Sequence, residues 1–282
     1  MSTSIVKRRA TDVRLFGVAG YALTLQVAHP TIAAGVRDHS GFAADPWGRF
    51  FRTADYLNLL IYGSPATARA VATRLRTMHT SIRGTDPSGR RYNALEPAAY
   101  AWVHATLAEA IVRGHRVFGS ALTTGERDQF WSEWRALGEV LGIPATNLPA
   151  TWPEFRRYVV GMGEMLEDND VVHAVFDTAD RAEGGSPFSW LDDRVWALAG
   201  RPLGRYGRFL ATGTTPGPLR ERLGMAWSRS DQAAFGLVAA AHRATTPVLP
   251  RDFRCAGPLA LRIRRSEIDR GPFGRHMLVS SA

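Results

Sequence analysis

One cysteine, Cys255, occurs in 282 residues, which excludes an intramolecular disulfide, a cysteine-based zinc site and a cysteine-ligated iron–sulfur cluster. Any metal must rest on histidine or carboxylate. Lysine is equally scarce: Lys7 stands alone, so arginine supplies the rest of the 35 basic side chains. Arginine stays charged, clamps carboxylates and phosphates with a planar fork, and stacks on aromatic rings. Long apolar runs are missing. The mildly apolar stretch from Phe16 to Ala28 falls well short of the roughly 20 residues that span a bilayer. Strict period-two alternation over a strand's length is absent, which argues against a sheet-based fold. No GxGxxG, P-loop or GxSxG stands in its strand–turn–helix setting, and there is no HExxH, zinc finger, RNP box or convincing helix-turn-helix. Nucleotide binding, hydrolase chemistry of the α/β type and nucleic-acid recognition therefore have no sequence support.

Hydrophobic residues make up 45% and charged residues 22%, the balance of a packed soluble fold with interior enough for a cofactor. Against the basic residues stand 26 acidic ones, a net charge of +9 that favours acidic partners or an anionic membrane surface. Lys7, Arg8 and Arg9 ahead of the apolar stretch imitate an export signal. Asp12 and Arg14 interrupt the approach, however, Gln26 lies inside, and no small-residue cleavage site follows cleanly before His29 and Pro30. The expectation is a retained segment and a cytoplasmic protein, with peripheral membrane contact as an option.

Helix punctuation recurs throughout. A first helix is expected over about 11–28, ending at Pro30, with turns at Gly35 and Ser40-Gly41. Asp45-Pro46 and Ser64-Pro65 open the next two helices, each with a capping residue followed by proline in the first turn. An exposed loop over 84–91 precedes a long helix over about 96–119. Thr123 with Glu126, and Thr151 with Glu154, have capping-box spacing. A break at 183–187 is followed by helices over about 190–199, 203–210, 218–225 and 230–244, and then by a tail rich in proline and glycine. This predicts an all-α fold: one domain over 1–282, a multi-helix bundle globin-like in general character, with an irregular C-terminal tail.

The segment 49–56 is the most informative. On a helix Arg49, Arg52, Thr53 and Tyr56 fall at i, i+3, i+4 and i+7, so two guanidiniums, a hydroxyl and a phenol share one face. That face is either chemical or a solvated polar stripe. His79 shares a helix with Ala68, Val71, Ala72 and Leu75, which puts its imidazole on or beside an apolar face. It is either a core histidine satisfied by a carbonyl or an iron ligand with apolar neighbours flanking a porphyrin. His29 and His39 bracket a bend, as pocket residues or as groups that cap and orient it, and an inward-facing position is one option for His104 on the long helix. Asp170 and His173 have the one-turn spacing of a carboxylate–histidine metal pair, but a di-iron bundle needs two such pairs and further carboxylates.

In order and separation, Gln26-Val-Ala-His29-Pro30, Gly35-Val-Arg-Asp-His39-Ser40, Asp45-Pro46, Arg49 through Thr53, Tyr62-Gly63 and His79 followed by Gly84 resemble the DUF2236 family. This group contains the latex-clearing rubber oxygenases and the MpaB-type oxygenases. The resemblance implies a helical fold holding haem b through one histidine and using dioxygen on an apolar, unsaturated small molecule. By position, His79 matches the haem-ligating histidine, and Arg49 and Thr53 match polar residues of the distal pocket. With Arg52 these form the implied catalytic set, while His79, Arg49, Tyr56 and His39 form the implied haem contacts. Arg52 stands where the latex-clearing branch has an iron-ligating lysine, and a guanidinium that stays protonated is a poor iron ligand. The acidic residue of that branch has no counterpart within 32–36. The alternatives are a non-catalytic haem-binding or sensor protein of the same fold, and a cofactor-free basic helical interaction protein.

Overall fold

The computed structural model describes residues 4–10, 12–39, 46–181, 192–250 and 254. Among them the chain forms α-helices joined by short connections and one antiparallel hairpin. The N-terminal region starts with α1 (Ile5–Arg9), whose Ile5 and Val6 are buried. The expected helix over 11–28 is two pieces: a 3-10 turn, Val13–Val18, capped by Asp12, and then α2 (Ala19–Val27). Helix α2 ends at Val27, just ahead of Pro30 as expected, but Pro30 does not open a loop. It begins α3 (Pro30–His39), because the first helical turn leaves its N–H groups unused and proline has none to lose. Gly35 is therefore helical, against the expectation of a turn. The expected turn at Ser40-Gly41 and the cap Asp45 lie outside the described residues.

Two antiparallel helices follow, α4 (Pro46–Tyr62) and α5 (Pro65–His79). Ser64 caps α5 by accepting from the Thr67 amide at 3.1 Å. Between them Gly63 is required by close approach, since a Cβ there would stand 2.3 Å from the Leu59 carbonyl and 2.9 Å from Thr67. The loop expected over 84–91 is instead a hairpin of β1 (Arg83–Thr85) and β2 (Arg91–Asn93), with Gly84 opposite Tyr92. Its turn is tied by Asp86, whose Oδ1 accepts from the Ser88 amide, the Ser88 hydroxyl and the Arg90 amide.

The long helix α6 (Pro97–Phe118) is the axis of the bundle and is followed by α7 (Thr124–Val140). Thr123 and Glu126 form the expected capping box. At α8 (Trp152–Glu164) the box is half formed: Thr151 accepts from the Glu154 amide, while the Glu154 carboxylate takes the Ala150 amide. The remaining helices are α9 (Asp170–Arg181), α10 (Asp193–Thr214), α11 (Gly217–Arg222) and α12 (Arg229–Thr245). The helices expected over 190–199 and 203–210 are one, with Pro202 exposed inside α10. The expected break at 183–187 and the tail beyond 250, Arg254 apart, lie outside the described residues.

Alanines 101, 105 and 108 let neighbouring elements approach α6 closely, and all three are buried. Trp102 Nε1 donates to the Leu25 carbonyl at 3.0 Å and Gln26 Nε2 to Thr106 Oγ1 at 2.9 Å, pinning α2 antiparallel to α6. Trp131 and Phe155 stack at 4.1 Å between centroids, joining α7 to α8. Buried aromatic side chains of this size contribute about 2–3 kcal/mol each. A second cluster, Tyr56, Leu60, Ala68, Val71, Ala72, Ala101 and Leu141, seats the α4–α5 pair against α6 and α7.

Candidate functional site at the end of α5

His79 is the last residue of α5 and is half-buried, its ring 5.9 Å from that of Tyr100 on α6. Its Nδ1 lies 2.6 Å from the carbonyl oxygen of Leu75, one turn back on the same helix. A carbonyl only accepts, so Nδ1 carries a proton, and the tautomer this selects has its lone pair on Nε2. Among the described residues Nε2 has no hydrogen-bond partner. A histidine that ligates a metal has this same division of labour, one nitrogen fixed by a carbonyl and the other open.

Tyr56 on α4 fixes the level of the two helices. Its hydroxyl donates to Met78 Sδ at 3.3 Å and also bonds the Arg74 side chain. Burial raises its pKa, partly offset by Arg74 and Arg52. Arg52 and Thr53 lie one turn nearer the start of α4 than Tyr56, toward the end of the α4–α5 pair at which α5 finishes. Tyr56 thus reaches the last turn of α5, the turn that also carries His79.

Arg49, Arg52 and Thr53 are exposed, whereas Tyr56 is buried. Thr53 Oγ1 donates to the Arg49 carbonyl at 3.0 Å, which leaves its oxygen lone pairs for a further donor. Surrounding protein, and after it the Arg52 charge, lower the pKa of Arg49, although its accessible area is that of an exposed residue. The guanidinium is charged at physiological pH in either environment.

His39 does not join this group through any contact among the described residues. Its Nε2 lies 3.1 Å from the Tyr92 hydroxyl, which donates its single proton to Asp38 Oδ2 at 2.5 Å. Nε2 of His39 is therefore the donor. Burial, followed by the Asp38 carboxylate, pushes Tyr92 up to about 12. The depression over this hairpin, about 590 Å³, is lined by residues including Arg83, Arg91, Tyr92, Leu95 and Pro97, and none of the candidate residues borders it.

Other histidines have structural duties. His104 Nε2 bonds the Trp134 carbonyl at 2.8 Å, and burial pushes its pKa down to about 4, so it is a neutral core group. His115 Nε2 bonds the Arg9 carbonyl at 2.8 Å. The Asp170–His173 metal pair does not form: Asp170 takes both nitrogens of the Arg37 fork, and His173 Nε2 pairs with Asp168 at 2.8 Å. Among the described residues no three His, Cys, Asp or Glu side chains converge on a common point. The carbonyl partner offered for His79 in sequence is that of Leu75, whereas Tyr100 beside it and Arg74 beside Tyr56 are not recognisable there as neighbours. Only Arg74 carried a signal there, its place one turn from Met78 on the α5 face opposite Tyr56.

No solved structure matches the chain. An uncharacterized protein of Mycobacterium bovis and one of Mycobacterium tuberculosis are each 23% identical to it over 230 residues, covering 80% of this chain and 86% of theirs. Residues 8–244, from α1 to the end of α12 and including every candidate residue, match the family described as ER-bound oxygenase mpaB/B'/Rubber oxygenase, catalytic domain. With that match covering most of its length, the chain belongs to this family of oxygenase catalytic domains.

Proposed function

We propose that this protein is a haem b oxygenase that attacks or cleaves a double bond in an apolar small molecule. The observation that carries the reading is the state of His79: half-buried beside Tyr100, with Nδ1 fixed by Leu75 and Nε2 open. A single open imidazole would suit a metal held mainly by a macrocycle, to which the protein need add only one ligand. His79 would hold the iron, with Leu75 keeping the imidazole in the required tautomer. Bound haem would supply an iron that activates dioxygen toward an alkene.

The chain's own residues define the rest. Arg49 and Arg52 bring two positive charges to the His79 end of the α4–α5 pair, where they would either stabilise developing negative charge on oxygen or neutralise the propionates. Thr53, its hydroxyl donating to the Arg49 carbonyl, would offer its oxygen as an acceptor to a further donor. Tyr56 braces α4 against α5 through Met78 and Arg74. Cleavage of an alkene by dioxygen places one oxygen atom on each carbon and yields two carbonyl groups, so no external reductant is needed.

The proposal includes a cytoplasmic protein with its N-terminal segment retained. Supporting this, Glu133 of α7 accepts from the Ser4 hydroxyl and from the Ile5 and Val6 amides, which builds α1 into the bundle. No described helix is long and apolar enough to cross a membrane. The test is oxygen uptake by haem-loaded protein with a panel of isoprenoid alkenes, with carbonyl products identified by mass spectrometry. Stoichiometric uptake with paired carbonyl products supports the reading. Haem-loaded protein that consumes no oxygen with any alkene would make it a haem-binding protein without this activity.

A further inference from the structure

Helix α10 displays a surface that the oxygenase reading does not use. Arg194, Arg201, Arg205 and Arg208 follow one another at i, i+7, i+11 and i+14, which confines them to a stripe about 60° wide on an α-helix. All four are exposed. Arg194, Arg201 and Arg205 form no ion pair with any described residue, while Arg208 lies over the Phe176 ring at 5.3 Å. Acidic residues of α10 and its cap are confined to the start, at Asp192 and Asp193.

Beside this stripe runs an apolar one. Val195 is 49% exposed, Leu198 80% and Tyr206 41%, with Pro202 also exposed between them. The helical wheel puts these four residues within roughly 40–120° of the arginine stripe, all on one side of it. On the opposite side Trp196, Gly200, Gly204 and Leu210 are buried, with Leu203 and Gly207 exposed among them. Arginine heads bordering a protruding leucine are the pattern of a helix lying in a membrane interface, where apolar side chains enter the acyl boundary and guanidiniums meet phosphate.

We infer that α10 docks this protein onto an anionic lipid surface, with Leu198 and Val195 inserted and Arg194, Arg201 and Arg205 on the headgroups. Charge selects the lipid over two other occupants. A second copy would bring the same arginine stripe from a chain of net charge +9. The chain's own segment 255–282 is also basic, with Arg262, Arg264, Arg265, Arg270 and Arg275 against Glu267 and Asp269. Like charge disfavours both, whereas an anionic bilayer attracts all of it.

The experiment is co-sedimentation of the full chain with phosphatidylcholine vesicles and with vesicles of phosphatidylcholine mixed with phosphatidylglycerol. Wild type is expected to bind the anionic vesicles selectively and to be released by salt. R201Q/R205Q, which removes two exposed charges, should weaken that binding about thirty-fold, and L198Q roughly tenfold, with unchanged circular dichroism. Equal binding to neutral vesicles would overturn the inference. So would unchanged binding by R201Q/R205Q, which would put the contact elsewhere on the chain, or a concentration-dependent dimer that L198Q dissolves in the absence of lipid.

Discussion

The Leu75 carbonyl holds the Nδ1 proton of His79 at 2.6 Å and so leaves the Nε2 lone pair facing away from its own helix. The bond spans one turn of α5, so the helix that carries the imidazole also sets its tautomer and restrains its rotation. The proton position follows from the carbonyl's inability to donate, and with it the direction in which the ring can bind a metal.

Arg52, in the first half of α4, cannot ligate iron as a guanidinium. If His79 holds haem as proposed, Arg52→Ala is expected to retain haem while shifting the ferric absorption maximum, because it would remove a charge near the cofactor without touching the ligand. Loss of haem in this variant, at unchanged thermal stability, would instead assign Arg52 to holding the propionates.

Stability should fall as pH is lowered from about 6.5 to about 4, and His104 is the main histidine responsible. Burial pushes its pKa down from 6.5 to about 4. The unfolded chain therefore binds a proton in this window that the folded chain refuses, and stability drops as pH falls, by about 3 kcal/mol in all. His29 and His115, also lowered by burial, act in the same direction. His104→Gln keeps a donor for the Trp134 carbonyl and should flatten the profile, as read by urea unfolding at pH 7 and pH 4.5. An unflattened profile would show that His104 does not titrate this way.

Gly213→Ala should destabilise the bundle by about 1–3 kcal/mol, the range of overpacked cores. A Cβ there would stand 2.3 Å from the ring of Phe235, which is wedged between Phe118, Phe209 and Trp227. Truncating the ring should relieve the clash, so Gly213→Ala combined with Phe235→Leu should cost less than the sum of the single changes in thermal unfolding.

Thr123→Ala removes the cap of α7 and should cost about 1 kcal/mol in denaturant unfolding. Glu126 closes the same box and also receives Arg9 at 2.8 Å, tying α1 to α7. Glu126→Gln should therefore release protease sites in the first ten residues that Thr123→Ala leaves protected.

Local chemistry is what the sequence made legible. Ser64 and Thr123 cap α5 and α7 as their spacing predicts, and Pro46 opens α4, because a cap needs only three or four consecutive residues. Pro30 marks the end of α2 as expected, but its opening of α3 is not visible locally, and Pro202 misleads because proline is compatible with a helix when its ring is turned to solvent. The hairpin was read as loop because each strand has three residues, too few to show alternation. At the site, residues on one helix face were legible from periodicity. Tyr100 was not, since its meeting with His79 depends on how α6 packs against α5.

The most direct measurement is the haem content and ferric spectrum of purified wild type and His79→Ala, expressed with adequate iron. The account predicts a Soret band and one haem per chain in wild type, loss of both in His79→Ala, and their return when free imidazole is added. A wild-type protein without haem, or a His79→Ala protein with wild-type haem content and an unchanged spectrum, would contradict it.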